Sequence, residues 1–243
     1  MKSIVIIGAS SGIGHECAKF FISKGWKVAV AARREELLKP LKSLSPATVT
    51  TFSIDVTRED AGDTLREIIK TQEDVDVIFN VAGIGKQNAS LDYQIENATI
   101  QTNVAGFTRI IDTSFNYFKQ RKNGGHIAII SSIAGTKGLG VAPSYSATKR
   151  FQNTYIDALD QLAHIKGYNI RFTDIRPGFV ATSFLDNEHR YPMLLSPEKV
   201  AAKIVDAIES GTRVKVIDLR YSILTFFWSL IPRWLWVRLP IKN

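Results

Sequence analysis

Two side chains suited to acid–base chemistry, Tyr145 and Lys149, stand four positions apart in the segment 144–149. Residues at i and i+4 share one face of a helix, so the ammonium can lie beside the phenol. A neighbouring positive charge stabilises the phenolate and lowers the tyrosine pKa from its ordinary value of about 10. The pair predicts a tyrosine general acid/base that works near neutral pH. The alternative is a half-buried tyrosine whose lysine neighbour reaches solvent.

Two serines could supply a hydroxyl to the same chemistry. Ser131 and Ser132 follow the apolar run 126–130. Open α/β sheets bind ligands at the carboxyl ends of their strands. A hydroxyl there can hydrogen-bond a carbonyl oxygen and stabilise the charge that develops on it. The alternative is a pair of serines that begin a loop.

A glycine-rich turn, spaced G-x-x-x-G-x-G, follows the first apolar run. Glycines let a pyrophosphate approach the main chain, and a helix N-terminus adds free N–H groups and partial positive charge. The order of strand, turn and helix therefore predicts a phosphate cradle, with a tight structural turn as the alternative. Its candidate binding residues are Gly8, Ser10, Ser11, Gly12, Ile13 and Gly14.

Two arginines follow the second apolar run. In a dinucleotide fold this position faces the adenosine ribose, where an acidic residue would repel a 2′-phosphate. This chain has Ala32 and then Arg33 and Arg34. A guanidinium can fork onto a phosphate and stack on adenine, so we expect a preference for NADP(H), with NAD(H) as the alternative cofactor. Both arginines could instead be solvated residues that open a helix with Glu35 and Glu36.

The elements that must position these residues alternate along the chain. Short β-branched runs occupy residues 4–7, 27–31, 48–54, 75–79, 126–130, 169–174 and 213–217. Amphipathic patterns typical of helices occupy residues 12–24, 58–70, 91–120, 144–166 and 197–209. Nearly continuous apolar runs are typical of strands buried on both faces. The alternation predicts a single Rossmann-type α/β domain with a doubly wound, mostly seven-stranded parallel sheet and helices on both faces.

Composition excludes several classes of protein. The 243 residues are 45% hydrophobic and 22% charged, so the chain can bury a core and is not mainly disordered. One cysteine, Cys17, excludes an internal disulfide, and the four histidines show no metal-ligand spacing, so we expect no metal site. The net charge of +8 forms no clustered stripe with interleaved aromatic residues outside the C-terminal tail, so we expect no nucleic-acid partner. An anionic cofactor or lipid could be attracted instead.

The last part of the chain differs from the rest. We divide the chain into a catalytic domain over 1–219 and an apolar tail over 220–243, which carries three of the four tryptophans: Trp228, Trp234 and Trp236. Pro232 and Arg233 interrupt it, so it offers no clean span of about 20 apolar residues. Trp with Arg is typical of a membrane-surface segment, and an oligomer or lid contact would bury the same residues. The apolar run at the N-terminus is too short for a signal peptide, so we expect a cytoplasmic protein, with peripheral contact to the inner face of a membrane as the alternative.

Taken in order, these motifs resemble the classical branch of the short-chain dehydrogenase/reductase (SDR) family over roughly residues 2–182. Asp55, next to Val56, matches the aspartate that contacts adenine in the family. Residues 80–83 resemble its N-N-A-G motif, although Val81 replaces the second asparagine. The segment 177–182 matches P-G-x-x-x-T, whose threonine would hold the nicotinamide carboxamide. The cofactor residues that the resemblance adds are Asp55, Val56, Asn80, Ala82, Gly83, Tyr145, Lys149, Pro177, Gly178, Val180 and Thr182.

The resemblance also implies a catalytic set of Asn103, Ser132, Tyr145 and Lys149. Ser132 lies 13 positions before Tyr145, as expected of the family's serine, and Ser131 is the alternative. Tyr145 would donate the proton to a carbonyl oxygen that Ser132 orients. Lys149 would lower the pKa of Tyr145 and bond the nicotinamide ribose. Asn103 would hold a water near the lysine.

The expected function is therefore NADP(H)-dependent transfer of a hydride between nicotinamide and a carbonyl or secondary alcohol. The segment 183–196 is the expected lid, and its apolar members favour a lipophilic or bulky carbonyl substrate; His189 could contact substrate or be solvated. The family implies a homodimer or homotetramer. The alternatives are a cofactor-binding sensor without turnover and a membrane-surface scaffold.

Overall fold

The computed structural model describes residues 1–182 and 191–241. The strands are β1 Ser3–Ile7, β2 Lys27–Ala32, β3 Val49–Ser53, β4 Val77–Asn80, β5 Gly125–Ile130, β6 Ile170–Arg176 and β7 Val214–Val216. The α-helices are α1 Gly12–Ser23, α2 Lys39–Leu44, α3 Ala61–Gln72, α4 Tyr93–Ile100, α5 Phe107–Phe118, α6 Pro143–Lys166, α7 Pro197–Ser210, α8 Leu219–Leu230 and α9 Arg233–Trp236. Two 3₁₀ helices cover Glu35–Leu38 and Ile133–Thr136, and a π-helical turn covers Gln101–Gly106.

The strands form one seven-stranded sheet in the order β3-β2-β1-β4-β5-β6-β7. Every neighbouring pair runs parallel. The order reverses between β1 and β4, which opens a crevice at the carboxyl ends of these strands. The Rossmann-type, doubly wound sheet predicted from the sequence is confirmed.

Two apolar layers cover the two faces of the sheet. Alternate residues of β1 enter different layers: Ile4 and Ile6 pack with residues of α1 and α7, whereas Val5 and Ile7 pack with residues of α3, α5 and α6. Side chains of a strand point alternately to the two faces of the sheet, and both faces of this sheet are buried. Both helical layers therefore hold the strand ends in fixed positions.

The sequence patterns located most elements correctly but missed local detail. The expected helix over 58–70 begins at Ala61, and the expected helix over 91–120 is broken by the π-helical turn Gln101–Gly106. Hydrophobic periodicity does not reveal one widened turn within a long helix, because the buried face continues on both sides of it. The 3₁₀ helix Glu35–Leu38 and helix α2 were also not expected as separate elements.

The apolar tail forms α8 and α9, and the division placed between residues 219 and 220 falls inside α8. Trp236 Nε1 donates a hydrogen bond to the carbonyl oxygen of Gly138 at 2.7 Å, and Lys137 Nζ donates to that of Ile231 at 2.8 Å. The tail therefore packs against the loop that precedes α6. Among residues 1–182 and 191–241, no helix has the length and apolar character needed to cross a bilayer.

Candidate active site

A cavity of about 1130 Å³ lies at the carboxyl ends of the strands. Most of the residues singled out from the sequence line it, although they come from distant parts of the chain. Those that line it are Gly8, Ser10, Ser11, Gly12, Ile13, Arg33, Arg34, Asp55, Val56, Ala82, Gly83, Ser132, Tyr145, Lys149, Pro177, Gly178, Val180 and Thr182. The fold thus brings the expected cofactor turn and the expected catalytic side chains to one cleft.

Three residues of the expected set lie behind the cavity wall. Gly14 is in the first turn of α1, where an added Cβ would stand 2.3 Å from the carbonyl oxygen of Gly8. Asn80 ends β4 and is buried, and its Oδ1 has no hydrogen-bond partner among the described residues. Asn103 is fully buried in the π-helical turn.

The glycine-rich turn has the geometry of an anion cradle. Gly8 has φ +95°, and an added Cβ would lie 2.7 Å from the backbone nitrogen of Ala82, so the turn requires glycine at this position. Ser11 is the N-cap of α1 and makes no side-chain capping bond, and the first turn of the helix holds no acidic residue. The N–H groups at this helix end therefore face the cleft without an internal carboxylate competitor.

Arg33 and Arg34 line the end of the cleft that lies beyond β2. Both are exposed, and neither side chain makes a hydrogen bond or ion pair within the described part of the chain. Glu35, the nearest acidic residue in sequence, accepts instead from Thr51 Oγ1 at 2.9 Å. Asp55 stands after β3 and accepts from the backbone nitrogen of Thr57 at 3.0 Å. The cleft therefore has cationic side chains at the place expected for a ribose phosphate.

Ser132 and Tyr145 meet inside the cleft. Ser132 Oγ accepts from the backbone nitrogen of Ala134 at 3.1 Å and also hydrogen-bonds the Tyr145 hydroxyl. Burial raises the pKa of Tyr145, and the hydrogen bond with Ser132 offsets only part of that rise. From the sequence we expected the neighbouring lysine to lower the pKa of Tyr145. In the structure this pKa is raised, because the loss of solvation around the phenolate is the largest effect on it.

Lys149 extends from α6 into the same interior and is 4% exposed. Its Nζ donates to the carbonyl oxygen of Ile130 at 2.9 Å and to Gln152 Oε1 at 3.1 Å. The Nζ atom lies 5.7 Å from the centroid of the Tyr145 ring. Burial lowers the pKa of Lys149 to about 8, while the negative charge of Asp174 acts in the opposite direction. The Lys149 ammonium therefore loses its proton just above neutral pH.

Gln152 links Lys149 to the π-helical turn. Its Nε2 donates to the backbone carbonyl oxygen of Asn103 at 3.0 Å, while its Oε1 accepts from Lys149. The side chain of Asn103 is engaged elsewhere: it accepts from the backbone nitrogen of Ile84 at 2.9 Å and donates to Thr148 Oγ1 at 3.1 Å. The Gln152 amide thus connects the lysine ammonium to the backbone of Asn103. Gln152 is not among the site residues expected from the sequence.

Asp174 is the centre of a second set of buried polar groups that supports the site. Asp174 on β6 accepts hydrogen bonds from Ser131 Oγ, from Asn153 Nδ2 at 2.8 Å and from Arg176 Nε at 2.7 Å. Ser131 thereby belongs to this inner network, whereas its neighbour Ser132 contacts Tyr145. The sequence contained one indication of buried polar contacts here. Gln152 and Asn153 are adjacent amide side chains on a helix that packs against an apolar layer.

The other end of the cleft is mostly apolar and includes the tail. Lining residues here are Leu139, Val141, Phe179, Tyr191, Met193, Tyr221, Leu224 and Trp228. Tyr221 is buried against Gly178, where an added Cβ would lie 2.2 Å from the tyrosine ring. Its hydroxyl accepts from the backbone nitrogen of Phe179 at 3.1 Å and donates to the carbonyl oxygen of Pro192 at 2.9 Å. His189 and the rest of 183–190 lie outside the described residues.

A parallel doubly wound sheet with a glycine-rich turn and a Ser–Tyr–Lys cluster in one cleft defines the class of Rossmann-type dehydrogenases. The family model described as short chain dehydrogenase matches residues 2–191, and the chain belongs to this family of oxidoreductases. An "uncharacterized oxidoreductase" of Myxococcus xanthus is 32% identical over 198 residues, 79% of this chain and 77% of that protein. Dehydrogenase/reductase SDR family member 7B of Xenopus tropicalis is 31% identical over 94% of this chain and 81% of its own length.

Solved structures share the fold at lower sequence identity. A short chain dehydrogenase/reductase from Burkholderia phymatum, in complex with NAD, has a TM-score of 0.85 at 19% identity and covers 100% of this chain and 97% of its own. A short-chain dehydrogenase from Streptomyces avermitilis has a TM-score of 0.82 at 21% identity, with 93% and 92% covered. No group of three or more potential metal ligands occurs in the described ranges.

Proposed function

We propose that this protein is an NADP(H)-dependent oxidoreductase that interconverts a carbonyl and a secondary alcohol on a lipophilic small molecule. The observation that carries the proposal is the meeting of Ser132, Tyr145 and Lys149 in the cavity that the glycine-rich turn also lines. A phosphate cradle and a proton donor in one cleft are the two parts that such a reaction needs from the protein.

The residues present fit a dinucleotide. The turn at Gly8 tolerates no side chain, so its backbone can approach a pyrophosphate, and the N-terminus of α1 lies beside it. Arg33 and Arg34 stand at the adenosine end, which favours a 2′-phosphate and therefore NADP(H). Among proteins of similar fold, ElxO is described with NADP bound and a Brucella melitensis reductase with NADH, so the preference rests on the arginines of this chain.

The protein's own groups then perform acid–base work around the reacting carbonyl. The nicotinamide, when bound, supplies or accepts the hydride. The raised pKa of Tyr145 keeps it a neutral phenol at neutral pH, which is the form that donates a proton to a carbonyl oxygen. Ser132, hydrogen-bonded to Tyr145, orients that oxygen and stabilises its developing charge. Lys149 holds a positive charge behind the pair.

The substrate end favours a lipophilic molecule. The wall formed by Phe179, Leu224 and Trp228 offers large apolar surfaces, and Ser132 and Tyr145 supply two hydroxyl groups to the same cavity. An apolar pocket with a few convergent polar groups is typical of a site for a small organic ligand.

A paired titration of NADPH and NADH tests the cofactor assignment. We expect NADPH to bind more tightly, and Arg33→Ala to weaken NADPH by about tenfold or more while NADH changes little, because a charge-assisted contact to phosphate is lost. Arg66→Ala, an exposed arginine on α3, is the matched control. Equal affinities for both nucleotides in the wild type would remove the NADP(H) preference.

Turnover distinguishes an enzyme from a cofactor-binding sensor. We expect Tyr145→Phe to retain NADPH binding through the glycine-rich turn and the arginines but to reduce a panel of lipophilic ketones at least about 100-fold more slowly. Nucleotide binding without turnover of any carbonyl by the wild type would instead support the sensor.

A further inference from the structure

Helix α8 carries apolar side chains on two opposite faces. On the inner face Tyr221 is buried, and Leu224 and Trp228 line the cavity. On the outer face five apolar residues recur at helical spacing and are half exposed or more: Leu219, Ile223, Phe226, Phe227 and Leu230. A helix with two apolar faces needs a cover on each of them, and the domain supplies only the inner one.

Helix α9 continues this outer surface. The rings of Trp228 and Trp236 pack edge to face with centroids 5.3 Å apart, so the two helices are in contact. Trp236 is buried and anchored to the loop before α6, whereas Trp234 and Val237 are 64% and 68% exposed. We call the outer residues of both helices (Leu219, Ile223, Phe226, Phe227, Leu230, Trp234 and Val237) the tail face. The hydrogen bond from Trp236 to Gly138 keeps the tail face turned outward.

The charges around the tail face have one sign. The segment 219–243 contains no Asp or Glu, and its positively charged side chains are Arg220, Arg233, Arg238 and Lys242. Arg220 is paired with Asp218 at 2.9 Å, whereas Arg233 and Arg238 form no ion pair with any described residue. The whole chain carries a net charge of +8. The tail face is therefore an apolar surface with a basic border, on a basic protein.

This combination fits an anionic bilayer better than a second copy of the chain. In a twofold interface the same patch meets itself, so two basic borders would be brought together and no acidic residue of the segment 219–243 would offset them. Anionic lipid headgroups neutralise such arginines, and tryptophan and phenylalanine side chains bury in the boundary between headgroups and acyl chains. We propose that the tail face docks on the surface of an anionic lipid bilayer, with α8 between the bilayer and the cavity.

Vesicle sedimentation of the full chain tests the proposal. The probes are vesicles of phosphatidylcholine alone and of an equimolar mixture with phosphatidylglycerol. We expect the wild type to sediment with the anionic vesicles, and added salt to weaken this binding. Phe226→Ser/Phe227→Ser and, separately, Arg233→Glu/Arg238→Glu should each lower the partition coefficient about tenfold or more, because one removes buried apolar area and the other reverses charge.

Matched variants control for generic effects. Leu162→Ser/Ile165→Ser removes two exposed apolar residues of α6, and Lys122→Glu/Lys166→Glu changes net charge equally at a distance from the tail; both should bind like the wild type. Thermal melting shows whether each variant is folded. Failure of the wild type to bind anionic vesicles, or equal binding by the tail-face and control variants, overturns the proposal. If the wild type does not bind vesicles but forms a concentration-dependent dimer, and Phe226→Ser/Phe227→Ser dissociates that dimer, then a second copy of the chain covers the tail face.

Discussion

At the scale of single residues, the balance between burial and charge sets the chemistry of the site. Burial raises the pKa of Tyr145 and lowers that of Lys149 to about 8, so desolvation moves both groups toward their neutral forms. For Lys149, the negative charge of Asp174 opposes this shift in pKa. The hydrogen bond from its ammonium to Gln152 Oε1 also favours the charged form. The ammonium is therefore the form present at neutral pH, and it disappears as pH rises through about 8.

This leads to a prediction for the pH dependence of catalysis. If the ammonium supports proton donation by Tyr145, kcat/KM for carbonyl reduction at saturating NADPH should fall as pH rises, with an apparent pKa near 8. Lys149→Arg, whose guanidinium does not titrate in this range, should lack that limb in whatever activity remains. A wild-type profile that is flat from about pH 6 to pH 10 would contradict the assignment.

Gln152 provides a second prediction at the same scale. Gln152→Leu removes the oxygen that accepts from the Lys149 ammonium, and loss of a bond to the charged form lowers the lysine pKa further. The alkaline limb of the profile should therefore move to lower pH while NADPH affinity changes little. Gln152→Glu, which keeps an acceptor and adds a negative charge, should move the limb to higher pH. A limb at the same pH in both variants would show that Gln152 does not act through Lys149.

At the scale of elements, the tail and the loop that precedes α7 are joined through one side chain. The Tyr221 hydroxyl bonds the backbone of Phe179 and Pro192, on either side of the segment 183–190. Helix α8 thus helps to shape the apolar end of the cleft. Three residues of the tail, Tyr221, Leu224 and Trp228, line the cavity.

Tyr221→Phe tests this junction. The change leaves a backbone N–H and a carbonyl group without their partner, which should lower the free energy of unfolding by about 1–3 kcal/mol. The midpoint of urea unfolding measures the loss. Tyr93→Phe is the control, because that ring is 72% exposed on α4. Equal midpoints for the two variants would mean that the Tyr221 hydroxyl does not stabilise the fold.

At the scale of the whole molecule, a buried histidine connects stability to pH. His126 on β5 is 1% exposed, and its Nε2 lies 2.8 Å from Thr173 Oγ1 on β6. Burial, aided by the positive charge of Arg171, lowers the pKa of His126 to about 4. Between that value and the ordinary value of about 6.5, the unfolded chain binds more protons than the folded one. The stability contributed by neutral His126 is therefore present above about pH 6.5 and is lost as pH falls toward 4.

Denaturant unfolding at two pH values tests this linkage. From pH 7 to pH 5 this one group should cost the fold about 2 kcal/mol, and His126→Gln should reduce the pH dependence by a similar amount. His164→Gln, an exposed histidine of α6, should leave the pH dependence unchanged. The idea fails if His126→Gln and the wild type lose equal stability over this range.

The sequence alone determined the features that depend on neighbours along the chain. Nearly continuous apolar runs alternate with amphipathic stretches, and only a parallel sheet buried between helices satisfies both patterns. The turn after β1 and the spacing of Tyr145 and Lys149 are local, because backbone freedom and helical period act over a few residues. The doubly wound fold class, most of the residues that line the cleft and the likeness to the dehydrogenase family were therefore accessible before any coordinates.

Only the tertiary structure decided the contacts between residues far apart in the chain. Gln152 meets Asn103 across 49 positions, Ser131 meets Asp174 across 43, and Trp236 meets Gly138 across 98. No local pattern encodes such pairs, since each depends on where two separate elements come to rest. The sign of the Tyr145 pKa shift belongs here too, because burial is a property of the folded cleft and outweighs a charge that the spacing alone suggested.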